Sequence, residues 1–175
     1  IGGDATKKYL VKWGGANWES LGNAAPNLPV FAIRCETSGS ITISLQVNNP
    51  YMTVNGEERE IDPGRGTKPV IIKEWGRTLL PIRAVVEALS GTVNWDSVNS
   101  KVSISLKSTN IELWVNKPMA TVNGTLKWID DSNPNVTPLI INGRTFVPIR
   151  FVAENLGCTV DWEPETMTIT IKYDN

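Results

Sequence analysis

The sequence contains no histidine. That removes the side chain most often used as a general base near neutral pH, and the commonest metal ligand. It has two cysteines, Cys35 and Cys158, which lie far apart and belong to no metal-type spacing. They are read either as a disulfide or as two unpaired, mostly buried small residues. No apolar run approaches the roughly 18 residues that a membrane-crossing helix needs. Neither sign of charge is in excess: 17 Lys and Arg stand against 18 Asp and Glu, a net charge of −1. No basic surface is therefore offered to nucleic acid. No leader peptide is visible, and the chain begins at Ile1 rather than Met, as expected of a processed or excised piece. Without histidine, neither cysteine has an evident activating partner. No pair of carboxylates stands in a recognisable frame either. The expectation is a non-enzyme with no cofactor and no metal site; a hydrolase fragment is a remote alternative.

What is present is a chain of 175 residues, enough for one large domain or two small ones. With 41% hydrophobic and 20% charged residues it has the make-up of a folded chain. It also carries seven tryptophans, which need sorting into core and surface.

A segment occurs twice. Gly76-Arg77-Thr78-Leu79-Leu80-Pro81-Ile82-Arg83 runs on through Glu87 and Leu89 to Trp95. Gly143-Arg144-Thr145-Phe146-Val147-Pro148-Ile149-Arg150 runs on through Glu154 and Leu156 to Trp162. At an offset of 67, 12 of 20 positions are identical, so the chain is read as a tandem repeat. The first copy starts near Ile41. Ile41–Val47 alternates apolar and polar residues, which predicts a half-buried strand. Asn55-Gly56 between Tyr51–Val54 and Glu58–Ile61 predicts a hairpin, because both turn positions need positive φ. After the loop Asp62–Gly66, Val70–Ile72 and Thr78–Leu80 read as a second hairpin. Pro81 is expected to start a helix with Ile82, Val85, Val86 and Leu89 on one apolar face, ended by Gly91. Thr92–Trp95 and Lys101–Leu106 read as a closing strand pair. The second copy replays this, with Ile111–Val115 as its first strand, Asn123-Gly124 and Asn142-Gly143 as turns, and Pro148 and Gly157 bounding its helix. A short helix must be covered by a sheet, which implies an α+β unit of antiparallel strands and hairpins packed on one helix.

Residues 1–40 lie outside the repeat. Tyr9–Trp13, Trp18–Gly22 and Val30–Ile33 read as short strands separated by Gly-, Pro- and Asn-rich turns. The pattern of Gly2-Gly3, Leu10, Lys12-Trp13, Gly15, Trp18 and Leu21-Gly22 resembles a terminal blade of a bacterial β-propeller. A three-stranded cap is the other reading. The expected organisation is thus 1–40, 41–108 and 109–175.

The order Val-Asn-Gly, Gly-Arg-Thr-x-x-Pro-Ile-Arg-x-x-x-Glu-x-Leu and Thr-Val-x-Trp-Asp/Glu over residues 41–173 resembles the copper amine oxidase N-terminal (stalk) domain family, in two copies. In the amine oxidases that domain is an appendage, with copper and the quinone cofactor in other domains. The resemblance implies a non-catalytic accessory module of a larger secreted or surface bacterial protein, extracellular or at the cell surface, acting as spacer, attachment or binding module. Two small cores in series would form a rigid rod.

The two copies also help to sort the side chains. Trp95 and Trp162, kept in both, are expected in the core. Trp114 stands where the first copy has Gln46, and Trp128 where it has Glu60. Trp75 lies on a turn two residues longer than its counterpart. These three are the candidate surface-binding residues. They would stack on a cell-wall or plant polysaccharide, or anchor another surface protein; sealing the junction between repeats is the other reading. Arg83/Glu87 and Arg150/Glu154 stand at i, i+4 and read as intrahelical ion pairs or as binding pairs. Arg77 and Arg144 read as structural. Asp130-Asp131-Ser132-Asn133 with Asn135 is oxygen-rich enough for a weak Ca²⁺ site but lacks EF-hand spacing, and a solvated loop is expected. Asn123-Gly124-Thr125 matches a glycosylation acceptor, yet the turn explains the asparagine. A homodimer through unpaired sheet edges is a further expectation.

Overall fold

A computed structural model describes residues 9–13, 18–23 and 39–174. The chain divides into two compact units, residues 1–37 and 38–175. In the first, β1 (Tyr9–Trp13) and β2 (Trp18–Asn23) pair antiparallel, with Trp13 opposite Trp18. Both strands are those expected. The third, Val30–Ile33, and Cys35 lie outside the described residues, as does the remainder of the expected blade.

The second unit holds fourteen strands and two helices among the described residues. From the first sequence copy come β3 (Ile41–Gln46), β4 (Tyr51–Val54), β5 (Glu57–Glu60), β6 (Val70–Ile72), β7 (Arg77–Pro81), α1 (Arg83–Ala88), β8 (Thr92–Asp96) and β9 (Lys101–Leu106). The second copy supplies β10 (Thr109–Trp114), β11 (Met119–Val122), β12 (Thr125–Trp128), β13 (Leu139–Ile141), β14 (Arg144–Pro148), α2 (Ile149–Asn155), β15 (Thr159–Glu163) and β16 (Thr168–Tyr173). Strand makes up 49% and helix 10% of the structure, so the fold is α+β with sheets as its main carriers.

Local chemistry explains the hairpins. Asn55-Gly56, Asn123-Gly124 and Asn142-Gly143 all have positive φ at both positions, for example 52° and 85° at the first, as tight hairpin turns require. Two of these asparagines also extend the sheet. Thr42 N–H donates to Asn55 Oδ1 at 2.9 Å, and Asn110 N–H to Asn123 Oδ1 at 2.8 Å.

Pairing departs from a serial arrangement of repeats. One five-stranded sheet has the order β15-β16-β3-β4-β5; the other runs β12-β11-β10-β9-β8. A third, four-stranded sheet has the order β13-β14-β7-β6. Each of these three sheets therefore takes strands from both copies. Between the halves, β9 joins β10 by a tight hairpin in which Leu106 faces Thr109, and β16 returns to β3 with Tyr173 facing Ile41. One buried cluster runs through both halves, including Ile43, Leu45, Val86, Ile104, Ile111, Leu113, Val152 and Ile171. The expected rod of two small cores is thus replaced by one shared core. The cause is burial: a short helix and three short hairpins cannot cover their own apolar faces, and the other half supplies the missing strands.

The helices are shorter than the sequence suggests. Pro81 ends β7 instead of opening α1, and Pro148 caps α2. Both helices close in the same way. Gly91 N–H donates to Val86 O and Ser90 N–H to Glu87 O; Cys158 N–H donates to Ala153 O and Gly157 N–H to Glu154 O. This is the paired-bond termination that needs one left-handed residue. The residue in that conformation is Ser90 (φ 65°) in the first half and Gly157 (φ 85°) in the second, so Gly91 is not the terminator the sequence suggested. Gly91 is small for another reason: a Cβ there would lie 2.8 Å from the Ser105 carbonyl oxygen and 2.8 Å from Val86 Cγ1.

Candidate functional site

The two five-stranded sheets are counterparts, and their outer faces differ. In β10, Ile111 and Leu113 are buried, so Asn110, Glu112 and Trp114 point to the opposite side. Register carries that side across the sheet. Lys101 faces Trp114, Glu112 faces Thr121, Thr121 faces Leu126, and Met119 faces Trp128. Continuing the β10–β11 register one step beyond Leu113–Ala120 places Met119 beside Trp114. Trp114, Met119 and Trp128 thus form one cross-strand row, with the two indoles two inter-strand steps apart, about 10 Å. Leu126 stands in the next row. Leu126 is 60% exposed and Trp128 45% exposed, while Trp114 and Met119 are half-buried.

On the counterpart sheet the same positions hold Gln46, Tyr51 and Glu60, with Glu58 in place of Leu126. One face carries two tryptophans, Met119 and Leu126; its equivalent carries one exposed aromatic ring, Tyr51, among Gln46, Glu58 and Glu60. Core requirements are met equally on both, so they do not account for the difference. Exposed apolar side chains grouped on one face mark an interaction surface.

Polar groups border the row. Lys101 Nζ donates to Glu112 Oε1 at 2.7 Å, and Thr121 Oγ1 donates to Glu112 Oε2 at 3.1 Å. These bonds, the Lys101 one foremost, hold the Glu112 carboxyl below its ordinary range, so it stays charged near neutral pH and fixes the Lys101 ammonium beside Trp114.

Of the three expected surface tryptophans, Trp114 and Trp128 share this face. Trp75 does not project from its turn; it is half-buried and packs against the shared core. The larger correction concerns Trp95 and Trp162, expected in the core but 41% and 37% exposed. Each faces a core residue across its strand pair, Val102 and Ile169 respectively. Each points to the inner side of its sheet, but from an edge strand, where a helix of six or seven residues does not reach over it. The rings instead border two equivalent grooves, Trp162 in one of about 1150 Å³ and Trp95 in one of about 510 Å³. The period-two alternation was the correct signal; the length of the covering helix was the missing one.

Arg77 and Arg144 are structural, and the geometry gives the reason. Arg77 Nε meets Asp130 Oδ2 at 2.5 Å, and Arg144 Nε meets Asp62 Oδ2 at 2.6 Å. Each arginine crosses to the other half, so the two ion pairs are reciprocal clasps. The Arg144 hydrogen bond foremost holds Asp62 below its ordinary range. Burial pushes Asp130 up, but hydrogen bonds from Ser132 and Arg77 outweigh it and leave the group lowered. The oxygen-rich loop closes on the same carboxylate, since Ser132 N–H, Ser132 Oγ and Asn133 N–H all donate to Asp130 Oδ1. Among the described residues no group of three or more His, Cys, Asp or Glu is arranged to hold a metal ion.

The fold is a sheet-rich α+β domain, and one of its outer sheet faces carries Trp114, Met119, Leu126 and Trp128. A family model described as the copper amine oxidase N-terminal domain matches residues 64–171, and the chain belongs to that family. That domain is the accessory N-terminal part of its namesakes, distinct from their catalytic domain. No curated protein and no solved structure matches the chain. The described residues do not fit copper. The sequence has no histidine, and burial pushes the Cys158 thiol up to about 11, whereas ligation requires a thiolate.

Proposed function

We propose that this chain is a non-catalytic extracellular module that attaches a larger secreted or surface protein to an external polymer, with the row Trp114–Met119–Trp128 as its contact surface. The observation that carries this reading is the contrast between two equivalent sheet faces, one bearing Trp114, Met119, Leu126 and Trp128 and the other Gln46, Tyr51, Glu58 and Glu60. Indoles offer large flat area at small entropic cost. The C–H face of a pyranose ring is flat and apolar while its rim is polar, which suits an indole bordered by Lys101, Glu112 and Thr121. A repeating sugar chain can meet both rings, since their separation of about 10 Å is near the length of a disaccharide. A pure spacer has less support, because the halves interleave in one body instead of following each other in a rod.

The test is co-sedimentation with insoluble cell-wall and plant polysaccharides. The intact chain is expected to bind saturably to at least one polymer. A Trp114→Ala/Trp128→Ala variant with unchanged circular dichroism is expected to lose that binding. Equal binding by the variant would exclude this face.

A further inference from the structure

The two grooves are built from equivalent parts, yet they differ in one respect that packing does not require. Each is bordered by the start of a helix, by a tryptophan from an edge strand and by one Arg–Asp clasp. In the smaller groove the helix pair is engaged. Arg83 Nη1 donates to the Val93 carbonyl at 3.0 Å and lies 3.5 Å from Glu87 Oε1. In the larger groove the equivalents are Arg150 and Glu154, both exposed, and no ion pair joins them among the described residues. Their neighbour Asn155 is held in place, accepting from Lys127 Nζ at 2.9 Å and donating to the Phe151 carbonyl at 2.7 Å. The larger groove therefore offers an uncovered indole at Trp162 beside a guanidinium and a carboxylate that are not committed to each other.

Its charge indicates the kind of ligand. Arg77, Lys127 and Arg150 are balanced by Asp130, Asp131 and Glu154 around the groove. The first arginine is already spent on the first aspartate. A balanced site gives no net attraction to an anion. Side chains that donate and accept around an aromatic face fit a ring carrying neutral hydroxyls.

We infer that the groove between α2 and β12 is a second subsite, which takes one end of a neutral oligosaccharide. A sugar ring stacks on Trp162, Arg150 donates to its hydroxyls and Glu154 accepts from them. Met119, Leu126 and Trp128 border both this groove and the outer face, so one sugar chain can pass over the β12 edge from one to the other. The inference rests on the polysaccharide reading above.

The test is isothermal titration of the full chain with cello-, xylo- and chito-oligosaccharides, and with oligogalacturonate as the anionic comparison. A neutral oligosaccharide is expected to bind and oligogalacturonate to bind more weakly. Arg150→Ala and Glu154→Ala are each expected to weaken binding by roughly tenfold or more, as loss of a charge-assisted hydrogen bond does. Arg83→Ala, the equivalent change in the smaller groove, is expected to leave binding unaltered. Unchanged affinity in both Arg150→Ala and Glu154→Ala, equal weakening by Arg83→Ala, or preference for oligogalacturonate would each overturn the subsite. A Trp114→Ala variant separates the two claims. If it abolishes binding while Arg150→Ala does not, the outer face stands and the groove falls. If only the groove variants weaken binding, the groove stands and the outer face falls. Absence of binding to every sugar overturns both.

Discussion

Ser90 and Gly157 hold the same left-handed position at the ends of two equivalent helices. A residue with a Cβ is penalised there, and glycine is not. Ser90→Gly is therefore expected to raise stability by about 1 kcal/mol and Gly157→Ala to lower it by about the same, read from urea unfolding midpoints. A change of the same sign in both variants would contradict the capping geometry. The clasps Arg77–Asp130 and Arg144–Asp62 give a pH-dependent prediction. Both aspartates are lowered in the folded state. Their contribution is thus fully present above the ordinary carboxyl range, about pH 4, and is lost as pH falls through the lowered folded values. The melting temperature is expected to hold from pH 7 to pH 5 and to fall below pH 4. An Asp62→Asn/Asp130→Asn variant should melt lower at pH 7 and decline less on acidification. A parallel decline in variant and parent would show that the clasps carry no such linkage.

Elements were the scale at which the sequence was most legible. Asn-Gly dipeptides marked three turns, and alternation marked most strands to within a residue or two, because both signals are local. Partner choice was not legible. The two copies carry nearly the same strand patterns, so a strand that needs an apolar neighbour finds an equally good one in its own half or the other. Only the length of the connections decides, and the two-residue link between β9 and β10 ties the halves together. The exposure of Trp95 and Trp162 is hidden in the sequence for a related reason. Retention in both copies correctly indicated a common place in the fold, but a shared place at a groove rim looks the same in sequence as a shared place in the core. The contrast of Trp114 and Trp128 with Gln46 and Glu60 was visible in the residues alone; their meeting in one row required the register of β10, β11 and β12. Packing of helix on sheet is tested at Gly91, where an added Cβ meets backbone 2.8 Å away. Gly91→Ala is expected to cost about 1–3 kcal/mol in urea unfolding. No loss would mean that the end of α1 can shift away from β9.

As a whole, residues 39–174 form a body of two interleaved halves whose cores match and whose surfaces do not. The shared core explains what the halves have in common. Two of the differences, on one outer face and in one groove, are both bordered by Trp128. On the reading proposed above, the outer face bearing Trp114 and Trp128 meets a sugar polymer while its equivalent does not. The most direct measurement is an NMR titration of the full chain with a soluble oligosaccharide, following the indole Nε1–H signals of all seven tryptophans and the backbone amides of both five-stranded sheets. Saturable shifts are expected at the Trp114 and Trp128 indoles and in β10, β11 and β12, with Gln46, Tyr51 and Glu60 unmoved. Shifts centred on β3, β4 and β5, or none at Trp114 and Trp128 at saturating sugar, would contradict it.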